Sequence, residues 1–116
     1  MSNNFDAVVH EVLVEGLDDW VPIDRVIGSA WEVAQRSGGV PVETASTIIR
    51  LLVEGGQMVP GVIEANGFEA WRGSPSELAT RIIQQCEELN WEPFGAGCWL
   101  ANTQDGDVSA RDGLPQ

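Results

Sequence analysis

Apolar positions recur at helical spacing along most of this chain and switch to alternation near its middle. In "FDAVVHEVLVEGL", Val8, Val12, Leu13 and Leu17 share one helical face, with Asn4 or Asp6 available as a cap, which predicts a helix from about Asn4 to Glu15. "DDWVP" breaks it, because the residue before a proline is pushed to extended geometry. In "IDRVIGSAWEVAQRSGG", Val26, Ile27, Ala30, Trp31 and Ala34 form one face of a second helix, with Asp24 as its expected cap and Gly38 and Gly39 as its stop. After an extended "VPV", "ETASTIIRLLVEGG" predicts a third helix that turns Ala45, Ile48, Ile49, Leu52 and Val53 inward. Its outward face is Glu43, Thr44, Ser46, Thr47, Arg50 and Glu54.

"MVPGVIEANGFEAWRGSPSE" then reads as two short strands around an Asn-Gly turn, followed by a helix start. If Asn66 and Gly67 make a two-residue turn, Glu64 faces Glu69 and like charges oppose each other; a four-residue loop from Glu64 to Gly67 relieves that clash. In either register Ile63, Phe68 and Ala70 share a face, expected to be the core side, and Glu69 and Trp71 share the other. "SPSELATRIIQQCEELN" opens with a capping box, Ser74 as N-cap, Pro75 at the first helical position and Glu77 three residues on, and its stripe is Leu78, Ile82, Cys86 and Leu89. "WEPFGAGCWLANT" carries too much apolar surface in Trp91, Phe94, Trp99 and Leu100 to be a solvated tail, so it is expected to pack back, with a short strand around Cys98 to Ala101. "QDGDVSARDGLPQ" has little to bury and is expected to be disordered. These elements give one α+β domain over residues 4–102 and an acidic tail over 103–116.

The order of helix, short extended "WVP", helix, helix and hairpin resembles the winged helix-turn-helix superfamily over roughly the first 70 residues. The resemblance implies a recognition helix at Glu43 to Glu54, a wing at Met58 to Arg72 and a small first strand at Trp20 to Pro22. The fourth helix and the "GCWLANT" coda extend beyond that minimal fold. The chain also resembles small acidic actinobacterial proteins of unknown function that end in a "WLANT"-like segment, a likeness that implies no activity.

Charge separates this chain from a DNA-binding winged helix. In 116 residues, 18 acidic side chains face 6 basic ones, a formal net charge of -12, and every basic residue is an arginine. Duplex and anionic membranes are held largely by Lys and Arg, so both are disfavoured partners. The arginines are scattered at Arg25, Arg36, Arg50, Arg72, Arg81 and Arg111. The expected recognition face sets Arg50 between Glu43 and Glu54, and the wing sets Glu64 and Glu69 against Arg72, where phosphate would be repelled. No apolar run is long enough to span a bilayer, and "MSNNFDAVVHEV" lacks the pattern of a signal peptide, which leads to a cytoplasmic expectation.

Chemistry-bearing residues are sparse. His10 is the single histidine, beside Glu11 on the first helix, and reads as an ordinary surface or boundary residue. Cys86 and Cys98 suit a reducing compartment as free thiols, although a bridge between them stays open; with His10 they make no metal-ligand spacing. "GAG" at Gly95 to Gly97 precedes no helix and reads as a bend. The adjacent pairs Asp18 and Asp19, and Glu87 and Glu88, read as solvated faces. Of the 5 tryptophans, Trp20 and Trp31 are expected to pack, and Trp91 and Trp99 flank the bend and could line a shallow groove.

No metal, cofactor or catalytic residue is therefore expected. The leading expectation is a non-enzymatic module that binds a basic protein, in the manner of immunity or antitoxin proteins, through Glu43, Thr47, Arg50 and Glu54 on the third helix and Glu64, Glu69 and Trp71 on the hairpin. Trp71 has an alternative place beneath the fourth helix or the coda. A DNA-binding transcriptional regulator is the alternative function, and a homo-oligomer stays open.

Overall fold

The computed structural model describes residues 4–112, and expectations that concern residues 1–3 and 113–116 lie outside them. Helices α1 (Asn4–Gly16), α2 (Ile23–Ser37), α3 (Pro41–Val53), α4 (Pro75–Glu88) and α5 (Gln104–Arg111) combine with strands β1 (Val21–Pro22), β2 (Met58–Glu64), β3 (Gly67–Ala70) and β4 (Trp99–Asn102) in an α+β fold. The periodic stripes read from the sequence form its core: Val12, Val26, Ile48, Leu52 and Ile82 have no exposed surface. Gly38, at φ 76, ends α2 in the left-handed conformation that glycine adopts without strain. The capping box of α4 is formed as expected, with the Glu77 amide donating to Ser74 Oγ at 3.2 Å and the Ser74 amide donating to Glu77 Oε1 at 3.0 Å. Those bonds hold the Glu77 carboxyl below the usual carboxylate range.

Helix starts depart from the expectation in two places, both at proline. Pro22 is itself the residue before α2, at φ -69, so the helix begins at Ile23 and Asp24 lies in its first turn instead of capping it. Its Oδ2 accepts the Gly95 amide at 3.1 Å. Pro41 occupies the first turn of α3, where its missing N–H costs nothing, so Pro41 and Val42 are drawn into the helix while Val40 stays extended as its N-cap. Thr44 then turns inward and is buried at 5% exposure, not outward as its hydrophilic character suggested.

The strands make one antiparallel sheet in the order β1-β4-β2-β3. Leu100 sits between Val21 on one side and Pro60 on the other, and all three side chains face the helices. The expected coda strand exists, but it lies inside the sheet. In the hairpin, Ile63 pairs with Phe68 and Glu64 with Gly67, so Glu69 opposes Val62 and the two glutamates do not meet. This is the register of the four-residue alternative, closed by one further pair. Ala65 and Asn66 keep negative φ while Gly67 takes φ 113, so the left-handed residue of the turn is the glycine.

Strand parity reverses the expected core face of the hairpin. Ile63, Phe68 and Ala70 lie on the sheet face opposite to the one that bears Leu100, and Ile63 is 41% exposed. On the core side of the same hairpin Val62 is half-buried and Glu64 and Glu69 are exposed. Gly61 is the exception on the Ile63 face: a Cβ on it would collide with the Glu69 carbonyl oxygen and stand 2.8 Å from Phe68 Cζ. The glycine lets the Phe68 ring lie flat across the sheet.

The segment expected to be disordered from residue 103 onward instead forms α5 over Gln104–Arg111. Its anchorage is mostly polar, which is why counting apolar residues misses it. Thr103 Oγ1 donates to the Gly56 carbonyl at 2.6 Å and accepts the Gly106 amide at 3.0 Å, capping the helix and tying it to the turn after α3. Gly106 rests against the Gln57 carbonyl, where a Cβ would not fit, and Ala110 is fully buried. At the other end His10 Nε2 lies 3.1 Å from the Ala110 carbonyl and 3.0 Å from that of Asp112. Because carbonyl oxygens only accept, Nε2 carries the proton. Replacing Thr103 by valine removes the cap and the tie together. The expected cost is about 1–2 kcal/mol in chemical denaturation, with faster amide hydrogen exchange confined to residues 104–111.

Candidate functional site

The expected partner-binding residues divide between two places. On α3, Thr47, Arg50 and Glu54 line a groove of about 420 Å³ together with Leu51 and Gly55. Glu43 is exposed one turn earlier, and its carbonyl accepts the Thr47 hydroxyl at 2.9 Å. Leu51, absent from the sequence expectation, is 42% exposed and supplies the apolar floor. The helical period puts Leu51 one residue off the buried stripe, a signal that was readable. Arg50 Nη1 lies 2.6 Å from Glu54 Oε1, so this guanidinium is already satisfied by a carboxylate on its own helix. At half-exposed side chains such a pair adds little stability, but it leaves the groove with no unpaired cation.

On the hairpin, Glu64 and Glu69 are exposed on β2 and β3 as expected. Trp71 is not an outward anchor. It is half-buried against the core, with the Arg81 guanidinium 3.8 Å above its ring, which is the alternative placement beneath α4.

A second concavity involves residues that the sequence marked as packing or solvent. A cleft of about 450 Å³ opens where α1 ends, lined by the chain from Gly16 to Trp20, by Ala101 and Asn102 of β4, and by Asp107 of α5. Asp18, Asp19 and Asp107 contribute carboxylates, and among the described residues no arginine or histidine lines it. Two of these have local duties: Asp19 Oδ1 accepts the Trp20 amide at 2.8 Å, and Asp107 Oδ1 accepts Asn102 Nδ2 at 3.1 Å. The same Nδ2 donates to the Leu13 carbonyl at 2.8 Å, locking the end of α1 to β4, while Asn102 Oδ1 is buried without a donor. No group of His, Cys, Asp or Glu among the described residues is arranged to hold a metal ion.

Trp20 stands at the edge of this cleft, 39% exposed instead of packed. Its ring stacks on Phe68 with centroids 6.0 Å apart and planes at 27°, and reaches within 3.7 Å of the Cβ position of Gly67. A strip of aromatic surface thus crosses the outer sheet face from the cleft to the hairpin tip. The other tryptophans do not form the expected groove. Trp91 turns toward Trp31, with centroids 6.3 Å apart, while Trp99 sits on the sheet. Phe94, expected to pack back, is 85% exposed on a tight bend where Asn90, Trp91 and Phe94 all have positive φ. With Trp91 turned to Trp31 and the Gly95 amide held by Asp24, the bend leaves that ring no surface to cover.

The nucleophile candidates are quenched. Cys86 and Cys98 are free and buried. Burial, reinforced by Asp24 and Glu87, pushes the Cys86 thiol up to about 11, and burial with the neighbouring Cys86 pushes Cys98 up to about 12. His10 is occupied by the carbonyls of Ala110 and Asp112 at the end of α5.

Since the unfolded thiols ionise near 9.0, below their folded values of about 11 and about 12, rising pH favours the unfolded chain across that window; stability present below pH 9.0 is therefore expected to fall as pH climbs toward about 12. Near neutral pH both thiols are expected to resist an aromatic disulfide reagent until denaturant is added, and fast reaction of either in the folded protein would contradict their burial. Gly61→Ala, which forces Phe68 and the β3 backbone away, is expected to cost about 1–3 kcal/mol in a denaturant titration and to change the near-ultraviolet circular dichroism of the Trp20–Phe68 stack.

Comparison of this chain with family models, with curated proteins and with solved structures gives no match.

Proposed function

We propose that this chain is a non-enzymatic binding module for a basic protein, acting in the cytoplasm in the manner of immunity or antitoxin proteins. The observation that carries the reading is the pairing of its charges: Arg25 is taken by Glu15 at 2.7 Å and Arg50 by Glu54 at 2.6 Å, while the cleft beside Trp20 holds three aspartates and no cation. A surface on which 18 acidic side chains outnumber 6 arginines, two of them held by carboxylates, attracts a positively charged partner and steers its approach. The α3 residues Glu43, Thr47, Arg50 and Glu54, around the exposed Leu51, and the hairpin residues Glu64 and Glu69 supply further acidic contact surface. A reducing cytoplasm keeps both buried cysteines as thiols.

The order α1, β1, α2, α3, β2, β3 supports a winged-helix-like reading of the first part of the chain, with β4, α4 and α5 as additions to it. In that reading β4 stands between the small first strand and the wing. The charge argues against the nucleic-acid role of such folds, because the one arginine of the exposed α3 face is held by Glu54.

Affinity capture with the intact chain, run at low and high salt and followed by calorimetry with the purified captive, tests the proposal. The expected captive is a protein of high isoelectric point whose affinity falls steeply with salt. Retention of duplex DNA at low salt, lost in an Arg50→Ala, Arg72→Ala variant, would instead establish the regulator reading.

A further inference from the structure

The outer face of the sheet has no helix on it. Pro22, Val59, Phe68, Ile63, Trp99 and Ala101 alternate with the core positions, and none of them is fully buried, whereas Val21, Met58, Pro60 and Leu100 on the other face are. This face is entirely apolar in its side chains, and Trp20 and Phe68 spread their rings across it. At its margin opens the cleft of Asp18, Asp19 and Asp107.

The cleft also lies at the C-terminal end of α1, where the helix dipole is negative. That last turn carries no basic residue, and Glu15 is compensated only by Arg25 from α2. Asp18 and Asp19 therefore add negative charge to a helix end that already disfavours it. Among the described residues no cation pairs with them, and Asp18 makes no side-chain hydrogen bond. A positive group placed there gains from the dipole, from the carboxylates and from the Trp20 face together.

We propose that this face is a docking surface for a basic polypeptide segment, which lays apolar side chains on Trp20 and Phe68 and sends an arginine side chain into the aspartate cleft. The proposal rests on the basic-partner reading above and names its contact surface, which differs from the α3 groove. Charge complementarity selects the occupant: an apolar sheet face bounded by carboxylates and a negative helix end excludes acidic segments, lipid phosphates and nucleic acid. Within basic segments, arginine fits better than lysine. Its planar guanidinium stacks on an indole and bridges two carboxylates at once, and the aspartates are spread along the cleft instead of converging as they would around a point charge.

The probe is a synthetic ten-residue peptide of alternating leucine and arginine, titrated into the isotopically labelled chain and followed by amide shifts, beside its leucine–lysine and leucine–glutamate counterparts. The expected result is shifts at Trp20, Phe68, Ala101 and Asp107, tighter binding of the arginine than the lysine peptide, and no response to the glutamate peptide. Asp18→Asn with Asp19→Asn keeps the acceptor to the Trp20 amide and is expected to weaken binding by about tenfold or more. Trp20→Ala is expected to do so as well, with amide spectra elsewhere unchanged as evidence of an intact fold. Shifts confined to Thr47, Leu51 and Glu54 would overturn this surface while leaving the basic-partner reading standing. Equal response to the arginine and glutamate peptides, or none to either, would also overturn it. The partner captured from cells then decides the broader reading: a basic captive whose affinity is untouched by the aspartate and Trp20 variants sinks only the surface, and recovery of no basic captive sinks both.

Discussion

Strand β4 is the constraint on which the sheet depends. β1 and the β2–β3 hairpin share no ladder; each pairs with β4, so the sheet exists only when Trp99–Asn102 has been inserted between them. Leu100 is then enclosed by strand neighbours on both sides and helices above, with no exposed surface. The pairing joins the start of the chain to its end, an entropically costly closure that local helix formation cannot supply. Asn102, the last residue of β4, and Thr103 after it tie the strand's end to α1 and to the turn after α3. One short strand therefore closes the sheet, seats α5 and lines the aspartate cleft.

Much of this was legible because the helices follow a strict apolar period. The stripes of α1 to α4, the glycine stop of α2 and the Ser74–Glu77 capping box follow from local rules that tertiary packing does not overturn. The failures share a physical cause. α5 was invisible because a hydroxyl, a glycine and a histidine hold it through backbone carbonyls, and such bonds leave no apolar signature. Ile63 and Phe68 have the alternation of a half-buried strand, yet alternation does not say which face meets the helices; that depends on β4, a distant partner. Thr44 is buried despite its hydroxyl because the helical period that begins at Pro41 turns it toward the core.

The candidate cleft was harder to read than the fold. Asp18 and Asp19 are exposed, as their character suggests, but nothing in the linear order announces that Asp107 comes to line the same cleft. Trp20 looked like a packing residue because a tryptophan at a strand position is most often buried. Only the antiparallel return of β4 brings the end of α1 against the start of α5 and turns three isolated acids into one surface. The groove at the end of α3, by contrast, is lined by residues close in sequence, so Thr47, Arg50 and Glu54 could be grouped from the helical period alone, although Leu51 and Gly55 were missed.

The distribution of charge also bears on stability. Acidic side chains in the first turn of α5, Asp105 and Asp107, are favoured by the positive end of that helix, and Glu77 is favoured in the same way in α4. Asp18 and Asp19 are the opposite case, set at the negative end of α1 with no compensating base in its last turn. In a chain of net charge -12 every such placement adds to self-repulsion that the fold must outweigh. Local helix electrostatics thus explains why Asp105, Asp107 and Glu77 stand where they do, but offers no such reason for Asp18 and Asp19. A cation carried by the proposed basic segment would supply the missing compensation, and the aromatic strip beside the cleft would give its carrier a place to rest.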